Sequence, residues 1–136
     1  MIVVDTNLIA YLYLKGEHTQ LAEQVVGIDP KWASPILWRS ELRSVLMMYV
    51  GKKIIPLEIA VEIMREAKNM LHGNEHVVSS AHVMELAAVS GCTAYDCEFV
   101  ALAESLHVPL VTTDKAVLKA FPKTALHPSE FIKIHP

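Results

Sequence analysis

Four acidic residues lie beside the ends of predicted secondary-structure elements, although they are far apart along the chain: Asp5, Glu41, Asp96 and Asp114. The first and the last come just after short apolar runs that are typical of buried strands. The other two lie within the first two turns of predicted helices. In an open parallel sheet, ligands bind outside the carboxyl ends of the strands, where the topology changes direction. The sequence therefore predicts that the four carboxylates converge on one edge of a sheet.

Such a cluster is suited to binding hard divalent cations. Carboxylates a few ångström apart repel one another, which raises their pKa values until a cation relieves the repulsion. Oxygen ligands favour Mg²⁺ or Mn²⁺ over Zn²⁺, since no thiolate or histidine pair joins the group at a suitable spacing. The reaction that fits this arrangement is in-line displacement at a phosphodiester. One ion activates a water, and a second, about 3.5–4 Å away, stabilises the leaving oxygen.

Polar residues next to these acids are predicted to orient them. The hydroxyl groups of Thr112 and Thr113 can donate hydrogen bonds to Asp5 or to a metal-bound water, and the amide of Asn7 can do the same. Thr6 belongs to the same supporting group, and both Thr6 and Asn7 are candidate caps of the helix that follows. This chemistry requires no histidine base.

Short apolar strands alternate with amphipathic helices along the chain. Strands are predicted at residues 2–4, 32–34 and 110–112, with weaker candidates at 77–78, 125–126 and 131–134. Apolar residues that recur every three or four positions predict helices at about 19–26, 35–51, 56–71, 80–90 and 94–106. Shorter helices are predicted after the first and last acids. This order is typical of an α/β fold, with a parallel sheet covered by helices on both faces.

Length and composition predict one globular domain over residues 1–136. The chain is 52% hydrophobic and 20% charged, which suits a single core and argues against disorder. The net charge of −3 argues against broad adhesion to nucleic acid or anionic lipid, although bound metal ions offset carboxylates locally. No apolar run reaches the ~18 residues of a membrane span, and no leader pattern opens the chain. The two cysteines, Cys92 and Cys97, lack a C-x-x-C spacing, so we expect a protein with reduced cysteines. Together with the missing membrane span and leader, this predicts a cytoplasmic protein with no membrane contact.

Four blocks of the sequence resemble those of the PIN-domain family. They are residues 2–7 with Asp5, residues 40–46 with Glu41, residues 94–104 with Asp96, and residues 110–114 with Asp114. Each block alone is common, but the four occur in the family's order across nearly the whole chain. Their spacing suits the small bacterial and archaeal members, the VapC-type toxins of type II toxin–antitoxin pairs.

The resemblance implies a three-layer α/β/α sandwich with a mainly parallel central sheet, and cleavage of RNA that depends on Mg²⁺ or Mn²⁺. It also implies homodimerisation and inhibition by a small antitoxin protein that covers the acidic groove. By alignment to the family's motifs, the four carboxylates take the metal-binding and catalytic roles, and Thr112 takes the supporting polar role. Three cationic residues are candidates for contacting RNA phosphates: Arg39, Arg43 and Lys115.

Each acid also has an ordinary structural explanation. Asp5 and Asp114 can simply cap the helices that follow them, and Asp96 can be favoured by the positive end of its helix. Glu41 can be a solvated charge on a helix. Glu98 lies about 200° from Asp96 around the same helix, so it is predicted to be solvated rather than a ligand.

Other functions compete with the nuclease hypothesis. One is a PIN-like module that binds RNA or a protein without cleaving it. Another is a phosphotransferase or phosphatase with Asp5 as its nucleophile, but such enzymes usually carry a second aspartate two residues on, where this chain has Asn7. A zinc site is not supported, because no cysteine or further ligand completes a tetrahedron around three nearby histidines: His72, His76 and His82.

Overall fold

A five-stranded parallel sheet forms the centre of the fold in the computed structural model, which describes residues 1–136. Its strands are β1 (Ile2–Val4), β2 (Trp32–Pro35), β3 (Glu75–His76), β4 (Leu110–Val111) and β5 (Ala125–Leu126). Their order in the sheet is β3-β2-β1-β4-β5. Every neighbouring pair is parallel, which confirms the predicted parallel sheet.

Eight helices connect and cover the strands. They are α1 (Thr6–Tyr13), α2 (Thr19–Ile28), α3 (Trp38–Gly51), α4 (Leu57–Met70), α5 (Ser80–Ser90), α6 (Ala94–Leu106), α7 (Lys115–Ala120) and α8 (Pro128–Ile134). The caps of α5 and α6 follow the sequence closely. Ser79 accepts a hydrogen bond from the backbone of His82, and Thr93 accepts one from the backbone of Asp96. Gly91 ends α5 at φ 75°, in the left-handed conformation that glycine adopts most easily.

The two faces of the sheet carry separate apolar clusters. Ile2 and Val4 of β1 pack with residues of α1, α2, α3, α4 and α8. Val3 points to the opposite face, where it packs with residues of α6 and α7, because successive side chains of a strand alternate between faces. Helix α5 packs mainly against α6. The result is the predicted three-layer α/β/α sandwich.

The sequence prediction was wrong for two weak strands. The strand expected at 77–78 lies two residues earlier, where Glu75 and His76 pair with the end of β2, and Val77 is 91% exposed. Residues 131–134 belong to α8. The side chain of His127 caps this helix and Pro128 occupies its first turn, which favours a helix over an edge strand.

The topology changes direction beside β1. From β1 the chain moves outward to β2 and β3, and then returns to β4 on the other side of β1. The carboxyl ends of β1 and β4 therefore border the switch point at which open α/β sheets place their ligands. No single helix is both long and apolar enough to cross a membrane. Helices α5 and α6 reach the required length and apolar composition only when taken together, and the chain bends by 116° between them.

Candidate active site

A small cleft of about 80 Å³ opens beside the ends of β1 and β4. Its polar lining contains all four acids that the sequence singled out and three of their predicted supporting residues: Asp5, Glu41, Asp96, Asp114, Thr6, Asn7 and Thr112. Phe99, Leu110 and Val117 supply its apolar wall. The fold thus brings together carboxylates that are up to 109 positions apart in the chain.

Asp5 is held from two sides. Its Oδ1 accepts a hydrogen bond of 2.9 Å from the backbone N–H of Leu8, so Asp5 itself caps α1. Its Oδ2 accepts 2.5 Å and 3.3 Å hydrogen bonds from the Thr112 hydroxyl and the Thr113 N–H. The prediction that Thr6 or Asn7 caps α1 was wrong, because the carboxylate one residue earlier already satisfies the open N–H groups. Asp5 therefore both caps α1 and lines the cleft.

Glu41 faces the same cleft from α3. Its Oε1 accepts a 2.7 Å hydrogen bond from the hydroxyl of Thr6, a residue that is 7% exposed. This contact links the first turn of α1 to the first turn of α3. Thr6 therefore supports Glu41, whereas the sequence predicted polar partners chiefly for Asp5.

Asp114 and Asp96 complete the acidic wall. The backbone N–H of Asp114 donates to the Thr112 hydroxyl at 3.0 Å, and its Oδ1 accepts from the N–H of Val117 at 2.9 Å, capping α7. Asp96 lies in the first turn of α6, just after its cap Thr93. The Thr112 hydroxyl therefore links the Asp5 carboxylate to the backbone of Asp114.

The environment favours the protonated forms of three of the acids. Burial raises the pKa of Asp5 against the lowering effect of its hydrogen bonds, and the charge of Asp114 raises it further. Burial is also the largest cause of the raised pKa of Glu41, followed after the opposing Thr6 bond by the charges of Asp96, Asp5 and Glu98. Burial and the charge of Asp114 raise the pKa of Asp96.

These shifts oppose folding at neutral pH in the metal-free protein. A carboxyl group whose pKa is higher in the folded than in the unfolded chain binds its proton more tightly when folded. This tighter proton binding stabilises the folded chain fully at pH values below the pKa of the unfolded chain. The stabilisation is lost as the pH rises through the pKa of the folded chain. A bound cation would offset the charge that causes this loss.

The chemistry of the donor set fits Mg²⁺ or Mn²⁺, since all four candidate ligands are carboxylates. As the side chains are placed, however, no three histidine, cysteine, aspartate or glutamate residues surround a common point closely enough to hold one ion. Mg²⁺ usually keeps several waters and takes only one or two carboxylates directly, so this spacing still suits it. The same finding leaves the three histidines considered for zinc without a metal site, and His82 pairs with Glu104 instead, at 2.7 Å.

The three cationic residues predicted to contact RNA lie in different settings. Arg39 forms a two-pronged ion pair with Glu75, so its charge is already neutralised. Arg43 is exposed on α3 and borders an apolar groove between α3 and α4. Lys115 is exposed at the start of α7, next to Asp114. Of the three, Lys115 is adjacent in sequence to a cleft acid and carries no ion pair.

Sequence reasoning gave no role to Glu98 and did not consider Glu75. The sequence predicts Glu98 to be solvated from its angle to Asp96 on the same helix, but its charge raises the pKa of Glu41 on α3. It is only partly exposed and borders an apolar pocket beside the cleft. No local pattern could reveal the effect of Glu98 on Glu41 or the ion pair of Glu75 with Arg39, because both depend on how separate elements pack.

Comparisons with known proteins agree with this geometry. The family model described as the PIN domain matches residues 2–123. Ribonuclease VapC3 of Pyrobaculum aerophilum is 28% identical over 126 residues, which cover 89% of this chain and 95% of that protein. The crystal structure of PAE2754 from Pyrobaculum aerophilum has a TM-score of 0.76 at 19% identity, covering 98% of this chain and 94% of the other. A toxin–antitoxin complex from Klebsiella pneumoniae has a TM-score of 0.69 at 17% identity, with 94% and 98% covered.

Proposed function

This chain belongs to the PIN domain family, and from that premise we propose that it is an endoribonuclease that requires Mg²⁺ or Mn²⁺. The observation that carries the proposal is the convergence of Asp5, Glu41, Asp96 and Asp114 on one cleft at the switch point of the sheet. The name of the relative from Pyrobaculum aerophilum, a ribonuclease, supports RNA as the substrate. The whole chain, residues 1–136, is proposed to act as one nuclease domain.

In this proposal the four carboxylates hold the divalent ions, and the threonines hold the carboxylates. When bound, such ions lower the pKa of a water and stabilise charge on the phosphate and the leaving oxygen. Thr112 ties the Asp5 carboxylate to the backbone of Asp114, and Thr6 donates a hydrogen bond to the Glu41 carboxylate. Since loading requires ionised carboxylates, any proton on Asp5 or Glu41 must leave, and metal affinity is expected to rise with pH.

The first test is the metal dependence of RNA cleavage. The purified chain is incubated with a panel of structured RNAs in Mg²⁺, in Mn²⁺ and with excess chelator, and the products are resolved by length. We expect internal cleavage of at least one RNA with either ion and none with chelator, because the apo cleft has no histidine base to activate a water. Cleavage that survives chelation would refute the proposal. Tight RNA binding without products in any metal would instead favour a non-cleaving binding module.

We further propose that this nuclease is the toxin of a type II toxin–antitoxin pair. The Klebsiella pneumoniae neighbour, a toxin–antitoxin complex, supports an antitoxin partner. The chain also has an apolar groove of about 500 Å³ between α3 and α4, lined by Leu46, Met47, Leu57, Val61 and Met64 and bordered by Arg43, Arg65 and Lys68. Apolar walls with a cationic border are complementary to a helix that carries apolar and acidic residues. We propose that this groove binds a helix of the antitoxin, in addition to the cover over the acidic cleft that the family resemblance implies.

Co-expression with the short protein encoded immediately upstream tests this assignment. Val61→Lys places a charge on the groove and should abolish co-purification. Val89→Lys, which changes the same residue type at a more exposed position on α5, should not. Equal co-purification of both variants would contradict the groove, and absence of such a gene would contradict the toxin assignment. Homodimerisation and a cytoplasmic location stay predictions, which light scattering and cell fractionation can measure.

A further inference from the structure

The Glu75 carboxylate accepts three hydrogen bonds from side chains of α3. Its Oε2 accepts hydrogen bonds from the Trp38 indole at 2.7 Å and from Arg39 Nε at 2.6 Å. Its Oε1 accepts one from the Arg39 guanidinium at 2.5 Å. The Glu75 side chain is only 14% exposed, so the ion pair with Arg39 is partly buried. Its two parallel hydrogen bonds fix the relative orientation of the two side chains. We call these three residues the Glu75 clamp.

The clamp is fixed to the sheet on one side. Glu75 pairs with Ser34 where β2 and β3 run side by side. Two backbone hydrogen bonds extend this pairing: the N–H of Ser34 donates to the carbonyl of Asn74, and the N–H of Ile36 donates to the carbonyl of His76. Hydrogen bonds from Arg39 and Trp38 hold the pKa of Glu75 below its usual range, so the carboxylate is charged. The acceptor is therefore both rigid and ionised.

On its other side the clamp holds the start of α3. Trp38 and Arg39 are the first two residues of this helix, and no side chain caps its N-terminus. Glu41 follows two residues after Arg39, about 3 Å further along the helix axis. Since a helical turn moves as a unit, whatever fixes Trp38 and Arg39 also fixes where the Glu41 backbone stands over the cleft.

We infer that Arg39 and Glu75 are positioning residues for Glu41: they tie α3 to the β2–β3 edge of the sheet so that the Glu41 carboxylate meets the other three acids. This inference depends on the proposed function, because it concerns a carboxylate assigned there to metal binding. It gives Arg39 a role different from the predicted contact with RNA. Thr6 holds the carboxylate end of Glu41, and the clamp holds its backbone end.

The test is a double-mutant cycle on Mn²⁺ binding, followed through the electron paramagnetic resonance signal of free Mn²⁺. Glu75→Gln keeps the shape of the side chain but removes its charge. It should weaken Mn²⁺ binding about tenfold, the lower end of the loss seen when a group that directly orients a metal ligand is mutated, because Glu75 acts on Glu41 only through the start of α3. In a Glu41→Gln background the same change should have less than about a twofold effect, since the residue through which it acts is gone. The control is Glu62→Gln, which breaks an exposed ion pair with Arg65 on α4 and should leave Mn²⁺ binding unchanged.

Unchanged binding in Glu75→Gln, or an equal loss in both backgrounds, would overturn the inference while leaving the proposed function intact. A wild-type chain that binds no Mn²⁺ would contradict the proposed function itself. If Glu75→Gln does not fold, Arg39→Lys replaces it, since lysine keeps the charge but loses the two-pronged geometry. Melting curves without metal identify which variants are folded. General destabilisation cannot explain a loss of Mn²⁺ binding in a variant that is folded.

Discussion

Asp5→Asn will lower the rate of RNA cleavage by about 10²- to 10³-fold while the chain stays folded. Asparagine has the same shape, but it removes the negative charge at the carboxyl end of the central strand. The loss expected is the several kcal/mol that a bound ion contributes to transition-state stabilisation. The measurement is single-turnover cleavage of the best RNA in Mn²⁺, with Glu85→Gln, an exposed acid on α5, as the control variant.

The same variant makes a second prediction, for stability. Because the pKa of Asp5 is raised in the folded chain, its ionised form opposes folding at pH 7, above the unfolded pKa. Asp5→Asn should therefore melt close to the wild-type temperature in the absence of metal, because removal of the buried charge offsets the loss of the bond from Thr113 N–H, which the amide nitrogen cannot accept. It should also gain less from added Mn²⁺ than the wild type does. A variant that is inactive because it melts well below the wild type would not support the assigned role.

Two adjacent residues of α3 should separate activity from stability. Leu42 is fully buried in the larger apolar cluster, so Leu42→Ala should lower the free energy of unfolding by about 2–5 kcal/mol. Glu41 is partly exposed in the cleft, and burial raises its pKa. Glu41→Gln should therefore leave stability nearly unchanged, or increase it, while cleavage falls by about 10²-fold or more.

Urea unfolding and single-turnover cleavage, both at a temperature where every variant is folded, measure this separation. Leu42→Ala should retain most of its cleavage rate per folded molecule, because its side chain contacts the core and not the cleft. Glu41→Gln should lose the rate and keep the urea midpoint. A Leu42→Ala chain that is as inactive as Glu41→Gln would mean that the cleft depends on core packing rather than on its carboxylates.

The positions of the acids relative to strands and helices could be predicted from the sequence alone. A β-branched run that stops at Asp5 is a local signal, and so is the run before Asp114. The helix Ala94–Leu106 was predicted with its observed bounds, because a threonine cap and an apolar periodicity are both written in consecutive residues. Parallel strands then leave little freedom, since their carboxyl ends must share one edge.

Tertiary structure alone decided what the charged side chains contact. The sequence shows no partner for Arg39, whereas in the fold β3 places Glu75 beside it. The predicted position of β3 was wrong because its two residues are polar, and the apolar pair that follows them fits a strand pattern better. The link from Thr6 to Glu41 joins residues 35 positions apart, and nothing in either neighbourhood indicates it. Local sequence determines secondary structure through short-range sterics and capping, whereas long-range hydrogen bonds and ion pairs exist only once the packed sheet has set the distances between elements.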